Sequence, residues 1–303
     1  MPMLQPTTLA AEGPTFSRLV AGMMTWGAWG AKLSTKEMAS LLEALVERGI
    51  TTIDHADIYG LYSTEEDFGK ALATVPHLKA KLQVVTKCGI QLPDGPFDHP
   101  HKAYHYSREY ITQMAERSLK LLGVEVLDVL LLHRPSPLLH PDEAAEALQA
   151  LMDQGKIKHA GVSNFTPSQF SMLRSRIPLV TNQVEASVTH LAPFQDGTFD
   201  QALELGLKPM AWSPIGGGTL LGDEVPTEWQ RLKRGLLEVA ESHQTTPDVI
   251  MLAWLLKHPS GMLPVLGSTK LHRWDGYLKA LDIELSHYEW LRLWMDSMGE
   301  DIP

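Results

Sequence analysis

Residues 126–164, "VLDVLLLHRPSPLLHPDEAAEALQALMDQGKIKHAGVSN", contain one complete strand–helix–strand unit. The stretch opens with a continuous apolar run that ends at His133, which is typical of a strand covered on both faces in a parallel sheet. An amphipathic helical pattern follows and stops at Gly155, and a second strand then leads to Asn164. The unit predicts parallel strands joined by a helix.

The same alternation continues along the whole chain. Ser34 and Glu37 form a capping box that predicts the start of the first long helix. No linker interrupts the pattern, so residues 1–303 are expected to form one domain. Eight strands separated by helices predict a (β/α)8 TIM barrel, an α/β fold, with a doubly wound open sheet as the alternative. The strand candidates are "RLVAGMMTWG", "ITTID", "LQVVTK", "VLDVLLLH", "IKHAGVSNF", "LVTNQVEAS", "KPMAWSPIGGG" and "LPVLGST".

Composition argues against several classes of protein. The formal net charge of -10 is unfavourable for a nucleic-acid binder, which needs a basic face. Cys88 is the single cysteine, so no internal disulfide can form and a cytoplasmic location is expected. The first residues lack the pattern of a signal peptide, and the apolar runs are far shorter than the roughly 20 residues of a membrane helix. We therefore expect a small-molecule partner, with no nucleic acid and no membrane.

Polar residues end several of the strand candidates, and closure of a barrel would bring these ends together. Asp54, Lys87 and His133 end three of them, and Tyr59 follows the first. A lysine cation favours the phenolate form and so is expected to lower the tyrosine pKa, while the aspartate keeps the lysine charged. Such a set can donate a proton to a carbonyl oxygen that the histidine orients. Taken singly, Asp54 could instead cap a turn, and His133 could be a core residue.

A nicotinamide would supply the hydride for such a reaction, yet no G-x-G-x-x-G motif is present. Later strand ends offer another site. Ser163, Asn164 and Gln183 could hydrogen-bond a carboxamide, and Trp212 could stack on a ring. The glycines of "WSPIGGG" would allow close approach of a pyrophosphate, and "GSTKLHR" places cations where a helix begins.

Seven stretches together resemble the aldo-keto reductase family, in the order in which that family carries them. They are "IDHADIYG", "VVTKCG", "LLLHRP", "GVSNF", "NQVE", "WSPIGGG" and "GSTKLHR". The resemblance runs from about residue 17 to about residue 281 and looks closest to a bacterial branch of cytoplasmic oxidoreductases. It implies a (β/α)8 barrel that reduces aldehydes or ketones with NAD(P)H.

The resemblance also implies roles for individual residues. The family's catalytic set matches Asp54, Tyr59, Lys87 and His133. Its cofactor-binding residues match Ser163, Asn164, Gln183, Trp212, Ser213, Pro214, Ile215, Gly216, Gly217, Gly218, Gly267, Ser268, Thr269, Lys270 and Arg273. Many members carry lysine at the position of Gly267 and asparagine at that of Tyr277. Since Lys270 and Arg273 could pair with a 2′-phosphate, NADP(H) is favoured as cofactor and NAD(H) is possible.

Other residues near the first strands and in the loop 91–107 are candidates for contacting the substrate or closing the barrel mouth. These are Trp26, Trp29, His55, Tyr104 and Tyr106. An NADPH-dependent carbonyl reductase is the leading interpretation. The alternatives are an NADPH-binding redox sensor with slow turnover and a metal-dependent barrel hydrolase. No His-x-His motif follows the first strand, so the sequence predicts no set of metal ligands for a hydrolase.

Overall fold

A computed structural model describes residues 5–97 and 100–302. Its strands lie where the apolar runs predict them, with two short hairpins in addition. In chain order they are β1 (Thr7–Thr8), β2 (Thr15–Phe16), β3 (Val20–Gly22), β4 (Thr52–Asp54), β5 (Gln83–Cys88), β6 (Ile90–Gln91), β7 (Ala103–Tyr104), β8 (Leu127–Leu132), β9 (Ile157–Ser163), β10 (Leu179–Glu185), β11 (Met210–Trp212) and β12 (Leu263–Leu266).

Eight of these strands close into a parallel barrel in the order β3–β4–β5–β8–β9–β10–β11–β12, with β12 pairing back to β3. This confirms the (β/α)8 barrel and removes the open doubly wound sheet. The two antiparallel hairpins, β1–β2 and β6–β7, lie outside the barrel sheet. Because the strands are parallel, all eight carboxyl ends meet at one rim.

Helices connect the strands and cover the outside of the barrel. They are α1 (Thr35–Glu47), α2 (Tyr59–Tyr62), α3 (Thr64–Thr74), α4 (Arg108–Leu122), α5 (Pro141–Asp153), α6 (Pro167–Arg174), α7 (Ala192–Gln195), α8 (Thr198–Glu204), α9 (Gln230–Ser242), α10 (Pro247–Leu256), α11 (Leu271–Lys279) and α12 (His287–Met298). Short 3₁₀ turns occupy Pro76–Lys81, Gly216–Leu221 and Thr227–Trp229. None of the helices in the described part of the chain is both long and apolar enough to span a bilayer.

Helix starts follow the sequence signals. The Ser34 hydroxyl accepts a hydrogen bond from the Glu37 amide, and the Glu37 carboxylate accepts one from the Ser34 amide, so the predicted capping box is confirmed. Ser107 caps α4 and Thr166 caps α6 in similar ways. These caps satisfy amide groups that have no partner inside the helix.

The barrel interior is filled by a compact apolar cluster that includes Val85 of β5, Val129 and Leu131 of β8, and Leu9 and Phe16 of the N-terminal hairpin. The Lys208 amide, just before β11, donates a hydrogen bond to the Leu9 carbonyl, and the Ser17 amide donates one to Thr52 at the start of β4. Leu9 and Phe16 therefore close the amino-terminal end of the barrel. The opposite end remains available for a functional site.

Candidate active site

Strand alternation places the polar strand-end residues inside the barrel. Val85 faces the interior cluster, so Lys87, two positions later on β5, points to the same side. Val129 and Leu131 face inward on β8, and His133 continues that row. Asp54 ends β4. Tyr59 begins α2, five positions after Asp54. The four residues of the expected catalytic set therefore lie together at the carboxyl-terminal rim.

Lys87 is the centre of this cluster. Its ammonium donates hydrogen bonds to Asp54 Oδ2 at 2.7 Å, to the His55 carbonyl at 2.7 Å and to the Tyr59 hydroxyl at 3.2 Å. Its side chain is 1% exposed and that of Asp54 2%. The Gln183 amide donates to the other Asp54 oxygen at 2.7 Å. The buried charges are thus paired and hydrogen-bonded, as burial of ions in a protein requires.

The structure corrects one expectation about Tyr59. Burial raises the pKa of its hydroxyl, and although the Lys87 ammonium acts in the opposite direction, the net shift is upward. The lysine was expected to lower this pKa overall, but desolvation of a phenolate in the barrel mouth outweighs its effect. Tyr59 is therefore a neutral phenol at neutral pH, so it holds the proton that a general acid must donate.

Opposing causes also act on the pKa of Lys87. Burial lowers it, but Asp54 and Tyr59 together more than offset burial, so the pKa of Lys87 is raised. Lys87 is consequently an ammonium at neutral pH, and it remains beside the Tyr59 oxygen to stabilise negative charge there once a proton leaves.

His133 lies beside the Tyr59 ring, with ring centroids 6.2 Å apart in an edge-on arrangement. Burial, and then the positive charges of Lys87, Arg134 and Lys102, hold the pKa of His133 well below its ordinary value. Its imidazole is therefore neutral. A neutral imidazole N–H can donate a hydrogen bond to a carbonyl oxygen without carrying charge into the site.

The backbone turns sharply just after Tyr59, and glycine is required there. Gly60 has φ of 61°, and a β-carbon at this position would lie 2.5 Å from Thr64 Oγ1. An L side chain would meet both the strain of a left-handed conformation and this close contact. The turn directs the Tyr59 ring back towards Lys87, whose Nζ lies 5.1 Å from the ring centroid.

Three of the residues expected to hold a carboxamide form a hydrogen-bonded network with Trp212. Ser163 Oγ donates to the Gln183 carbonyl at 2.8 Å, and Asn164 Nδ2 donates to Ser163 Oγ at 2.7 Å. The Trp212 indole N–H donates to Asn164 Oδ1 at 3.0 Å. Since Gln183 also bonds to Asp54, this network is joined directly to the catalytic cluster.

The remaining expected cofactor residues lie on the loops after β11 and β12. They are Ser213, Pro214, Ile215, Gly216, Gly217, Gly218, Gly267, Ser268, Thr269, Lys270 and Arg273. Gly217 and Gly218 have φ of 65° and 84°, and the space where their β-carbons would lie is open. The backbone at these glycines is therefore accessible from the side.

The second loop leads into α11. Lys270 is the residue before this helix, and its backbone amide donates a hydrogen bond to Ser268 Oγ at 3.2 Å. Among the described residues, neither Lys270 nor Arg273 forms an ion pair, and the neighbouring Asp275 is bound to Arg48 at 2.8 Å. The start of α11 therefore presents two cations that no carboxylate of residues 5–97 and 100–302 pairs.

The five substrate-contact candidates occupy different environments. Trp29 is 41% exposed, with its ring centroid 6.2 Å from that of Tyr59, and Tyr104 is 39% exposed. Trp26 and His55 have no exposed surface, and His55 packs edge-on against Phe68. Tyr106 is 5% exposed and its hydroxyl bonds to the Arg134 backbone.

For three of the five, this burial favours the second expected role, closing the barrel mouth, over contact with the substrate. A substrate cannot reach Trp26 or His55 unless the surrounding packing opens, and Tyr106 fixes a loop of the barrel mouth. Trp29 and Tyr104 are the two whose surfaces are available at the rim.

Sequence reasoning did not single out a buried acidic pair behind the site. Glu65 accepts hydrogen bonds from Thr86 at 2.7 Å and Ser118 at 3.0 Å. Asp57 is fully buried, and its carboxylate has no hydrogen-bond partner among the residues that the structure describes. Burial, followed by the Glu65 charge, raises the pKa of Asp57 well above its ordinary value. Asp57 lies within "IDHADIYG", next to the expected site. The lack of a hydrogen-bond partner for its carboxylate depends on packing, which the motif does not indicate.

The burial of His55 leads to a pH-dependent prediction. Burial, and secondarily Lys87, lower the pKa of His55 to about 3, whereas an unfolded histidine titrates near a pKa of about 6.5. Its stabilising contribution is therefore complete above about pH 6.5 and is lost progressively as the pH falls towards 3. Between pH 6.5 and 5, wild type should lose about 2 kcal/mol more free energy of unfolding than His55→Leu.

Urea denaturation of both proteins at several pH values measures this difference. Comparing wild type with the variant cancels the contributions of other titrating groups, including Asp57. Parallel stability curves for the two proteins between pH 6.5 and 5 would contradict the assignment of a neutral, buried His55.

Within residues 5–97 and 100–302 no group of three or more His, Cys, Asp or Glu side chains is arranged to hold a metal ion. The metal-dependent alternative thus has no candidate ligand set in that part of the chain.

Comparison with known proteins identifies the family of this chain. Residues 18–294 match the model of the Aldo/keto reductase family. Oxidoreductase YdhF of Escherichia coli is 41% identical, covering 99% of this chain and all of that protein. A 6-dehydroglucose reductase of Agrobacterium fabrum is 37% identical, covering 94% of this chain and 96% of the relative.

Structural similarity extends over the same region. The crystal structure of the thermostable aldo-keto reductase Tm1743 with the inhibitor epalrestat superimposes with a TM-score of 0.81. The two sequences are 28% identical, and the match covers 96% of this chain and 99% of the other. The motifs, the closed barrel and these similarities lead to one conclusion: the chain belongs to the aldo-keto reductase family.

Proposed function

We propose that the protein reduces aldehydes or ketones with NADPH and that Tyr59 donates the proton. The strongest support is the hydrogen bond between the Tyr59 hydroxyl and the buried Lys87 ammonium, 3.2 Å away. The same ammonium forms an ion pair with Asp54 at 2.7 Å. Members of the family generally use a nicotinamide nucleotide, and oxidoreductases are among the similar proteins.

The residues expected to hold the cofactor fit such a group. Trp212 offers a partly exposed ring beside Asn164, the open backbone at Gly217 and Gly218 admits close approach, and Lys270 and Arg273 offer charge for phosphates. When bound, the nicotinamide supplies a hydride to the carbonyl carbon.

The protein's own residues handle the oxygen of the substrate. The neutral His133 imidazole donates a hydrogen bond that orients the carbonyl, and the Tyr59 phenol transfers its proton to the oxygen as negative charge develops there. This leaves a phenolate, which the Lys87 ammonium stabilises until solvent returns the proton. Asp54 and Gln183 hold Lys87 in place through their hydrogen bonds.

Cofactor oxidation in the presence of a carbonyl panel tests this function. Purified protein is mixed with NADPH and then with aromatic and aliphatic aldehydes, ketones and 6-dehydroglucose, the last because two relatives are named for it. Steady turnover of at least one carbonyl is expected. Tight NADPH binding with only slow turnover across the panel would favour the redox-sensor alternative. If the protein bound neither NADPH nor NADH, the proposal would be overturned.

Cofactor preference yields a second prediction. Arg273→Gln should weaken NADPH binding about tenfold or more, because a charge-assisted hydrogen bond to the 2′-phosphate is lost. NADH, which lacks that phosphate, should bind with nearly unchanged affinity. Fluorescence titration of the protein with each nucleotide gives both dissociation constants.

Lys279→Gln is a matched control, since it removes the same charge from the exposed far end of α11. It should affect both nucleotides little. Equal weakening of NADPH and NADH binding by Arg273→Gln would argue against a contact with the 2′-phosphate.

A further inference from the structure

Arg134 is a cation at the rim to which the proposed reaction gives no role. It follows His133 directly and is partly buried, with its guanidinium carbon 5.5 Å from the centre of the Trp212 ring. In the described part of the chain, residues 5–97 and 100–302, it forms no ion pair with a carboxylate within 4.0 Å. Its charge is therefore not paired with a carboxylate in that part of the chain, and a guanidinium in this state can bind an anion.

The position of Arg134 is fixed by its surroundings. The Tyr106 hydroxyl accepts a hydrogen bond from the Arg134 amide at 3.0 Å and donates one to the Arg134 carbonyl at 2.5 Å. Trp212 is itself held by its bond to Asn164, whose amide in turn donates to the His133 carbonyl at 3.4 Å. The backbone of Arg134 and the indole beside its guanidinium are therefore both held by hydrogen bonds, one residue from the group proposed to orient the carbonyl.

The contact with the Trp212 indole uses none of the hydrogen-bond donors of Arg134. A guanidinium carries five N–H donors, and within residues 5–97 and 100–302 those of Arg134 form no hydrogen bond; the hydrogen bonds of this residue involve its backbone. Such donors match the two oxygens of a carboxylate. A contact that holds the guanidinium near the indole without consuming its donors leaves the side chain able to bind an anion.

Positive charges and exposed apolar side chains both lie around the proposed site, which indicates the chemistry of its ligand. The three charged groups that act most on His133 are all cations: Lys87, Arg134 and Lys102. Exposed apolar side chains lie on the rim loops beside them, including Trp29 at 41% and Leu138 at 89% exposed. This combination suits an apolar carbonyl compound that also carries a negative charge.

We propose that Arg134 is a specificity-determining residue that binds a carboxylate on the substrate, so that the preferred substrates are carbonyl compounds bearing an acid group. The inference rests on the proposed carbonyl reduction. A cofactor phosphate is the other possible source of an anion. The two cations expected to pair with a cofactor phosphate, Lys270 and Arg273, follow β12, which lies on the opposite side of the barrel from β8, the strand that leads to Arg134. The loop after β11 begins at Trp212, beside Arg134, so NADPH affinity is measured for every variant.

Paired substrates test the inference. The three isomeric formylbenzoates and their methyl esters differ in charge but present the same aromatic aldehyde. For at least one isomer, wild type should favour the acid over the ester in kcat/KM. Arg134→Gln should lower that acid-to-ester ratio about 10- to 100-fold, as expected for loss of a hydrogen-bonded charge pair, mainly through a higher KM for the acid.

Two further variants sharpen the result. Arg134→Lys, which keeps the charge but not the two-pronged donor, should lose part of the ratio. Lys102→Gln removes the same charge from an exposed position and should lower the ratio less than threefold. Equal losses from Lys102→Gln and Arg134→Gln would indicate a general electric field and overturn the assignment of a carboxylate site to Arg134.

The remaining outcomes separate this inference from the proposed function. If wild type reduces the esters but Arg134→Gln leaves every acid-to-ester ratio unchanged, the carboxylate site is wrong and the carbonyl reductase stands. A weaker NADPH affinity of Arg134→Gln, with both substrate types affected alike, would assign Arg134 to the cofactor and overturn the inference. If wild type turns over no carbonyl at all, the proposed function itself fails.

Discussion

Tyr59→Phe should lower kcat for carbonyl reduction about 10²- to 10⁴-fold, the usual contribution of a general acid. The substitution removes only the hydroxyl that lies 3.2 Å from the Lys87 ammonium and leaves the ring that contacts Trp29 and His133. The loss is therefore expected in the chemical step and not in folding. Steady-state kinetics with NADPH and a reactive aldehyde measure it.

NADPH affinity is the internal control for this variant. The hydroxyl of Tyr59 is not among the groups expected to hold the cofactor, so the dissociation constant should remain within about threefold of wild type, a change of less than 1 kcal/mol. Turnover by Tyr59→Phe within a few-fold of wild type would show that another group donates the proton.

Lys87→Met should damage both stability and activity. Asp54 would be left as a buried carboxylate without its cation, and breaking such a pair costs about 3–5 kcal/mol of the free energy of unfolding. Activity should fall about 10²- to 10³-fold or more, because no positive charge remains to stabilise the phenolate. Urea denaturation and steady-state kinetics report the two effects separately.

The double variant Asp54→Asn/Lys87→Met distinguishes these effects. A neutral asparagine removes the uncompensated charge and can still accept the Gln183 hydrogen bond, so much of the lost stability should return. Activity should not return with it. Recovery of turnover in the double variant, or unchanged stability in Lys87→Met, would contradict the role assigned to the pair.

Sequence patterns identified the barrel because parallel strands covered on both faces leave continuous apolar runs. Polar residues interrupt these runs where each strand reaches the rim, which is how "TTID", "QVVTK" and "DVLLLH" indicated the site. Closure of the sheet then brings Asp54, Lys87 and Tyr59 together although 33 positions separate the first two. That proximity follows from topology and needs no detail of packing.

Properties that depend on burial were less accessible from sequence. The expected direction of the Tyr59 pKa shift was wrong, because the effect of burial on this pKa outweighs that of the Lys87 charge. The sequence motif does not indicate the size of either effect. His55 was expected at the rim because it follows Asp54, but the chain turns its side chain against Phe68. The hairpin β6–β7 was missed because its strands have only two residues each.

Arg134 was visible in "LLLHRP" but gave no signal of its own. Its contact with Trp212 joins loops after β8 and β11, and Tyr106 comes from a third loop to hold its backbone. Such an arrangement depends on loop conformation, which sequence periodicity does not describe.

The central claim, that the Tyr59 hydroxyl supplies the proton, is tested most directly by changing its acidity. Tyr59 is replaced with a ring-fluorinated tyrosine, which has a lower intrinsic pKa, and the pH dependence of kcat for reduction is compared with wild type. Because reduction needs the protonated phenol, the decline of kcat at alkaline pH should begin at a lower pH in the fluorinated protein, by about the difference between the two phenol pKa values. An alkaline decline at the same pH in both proteins would contradict Tyr59 as the proton donor.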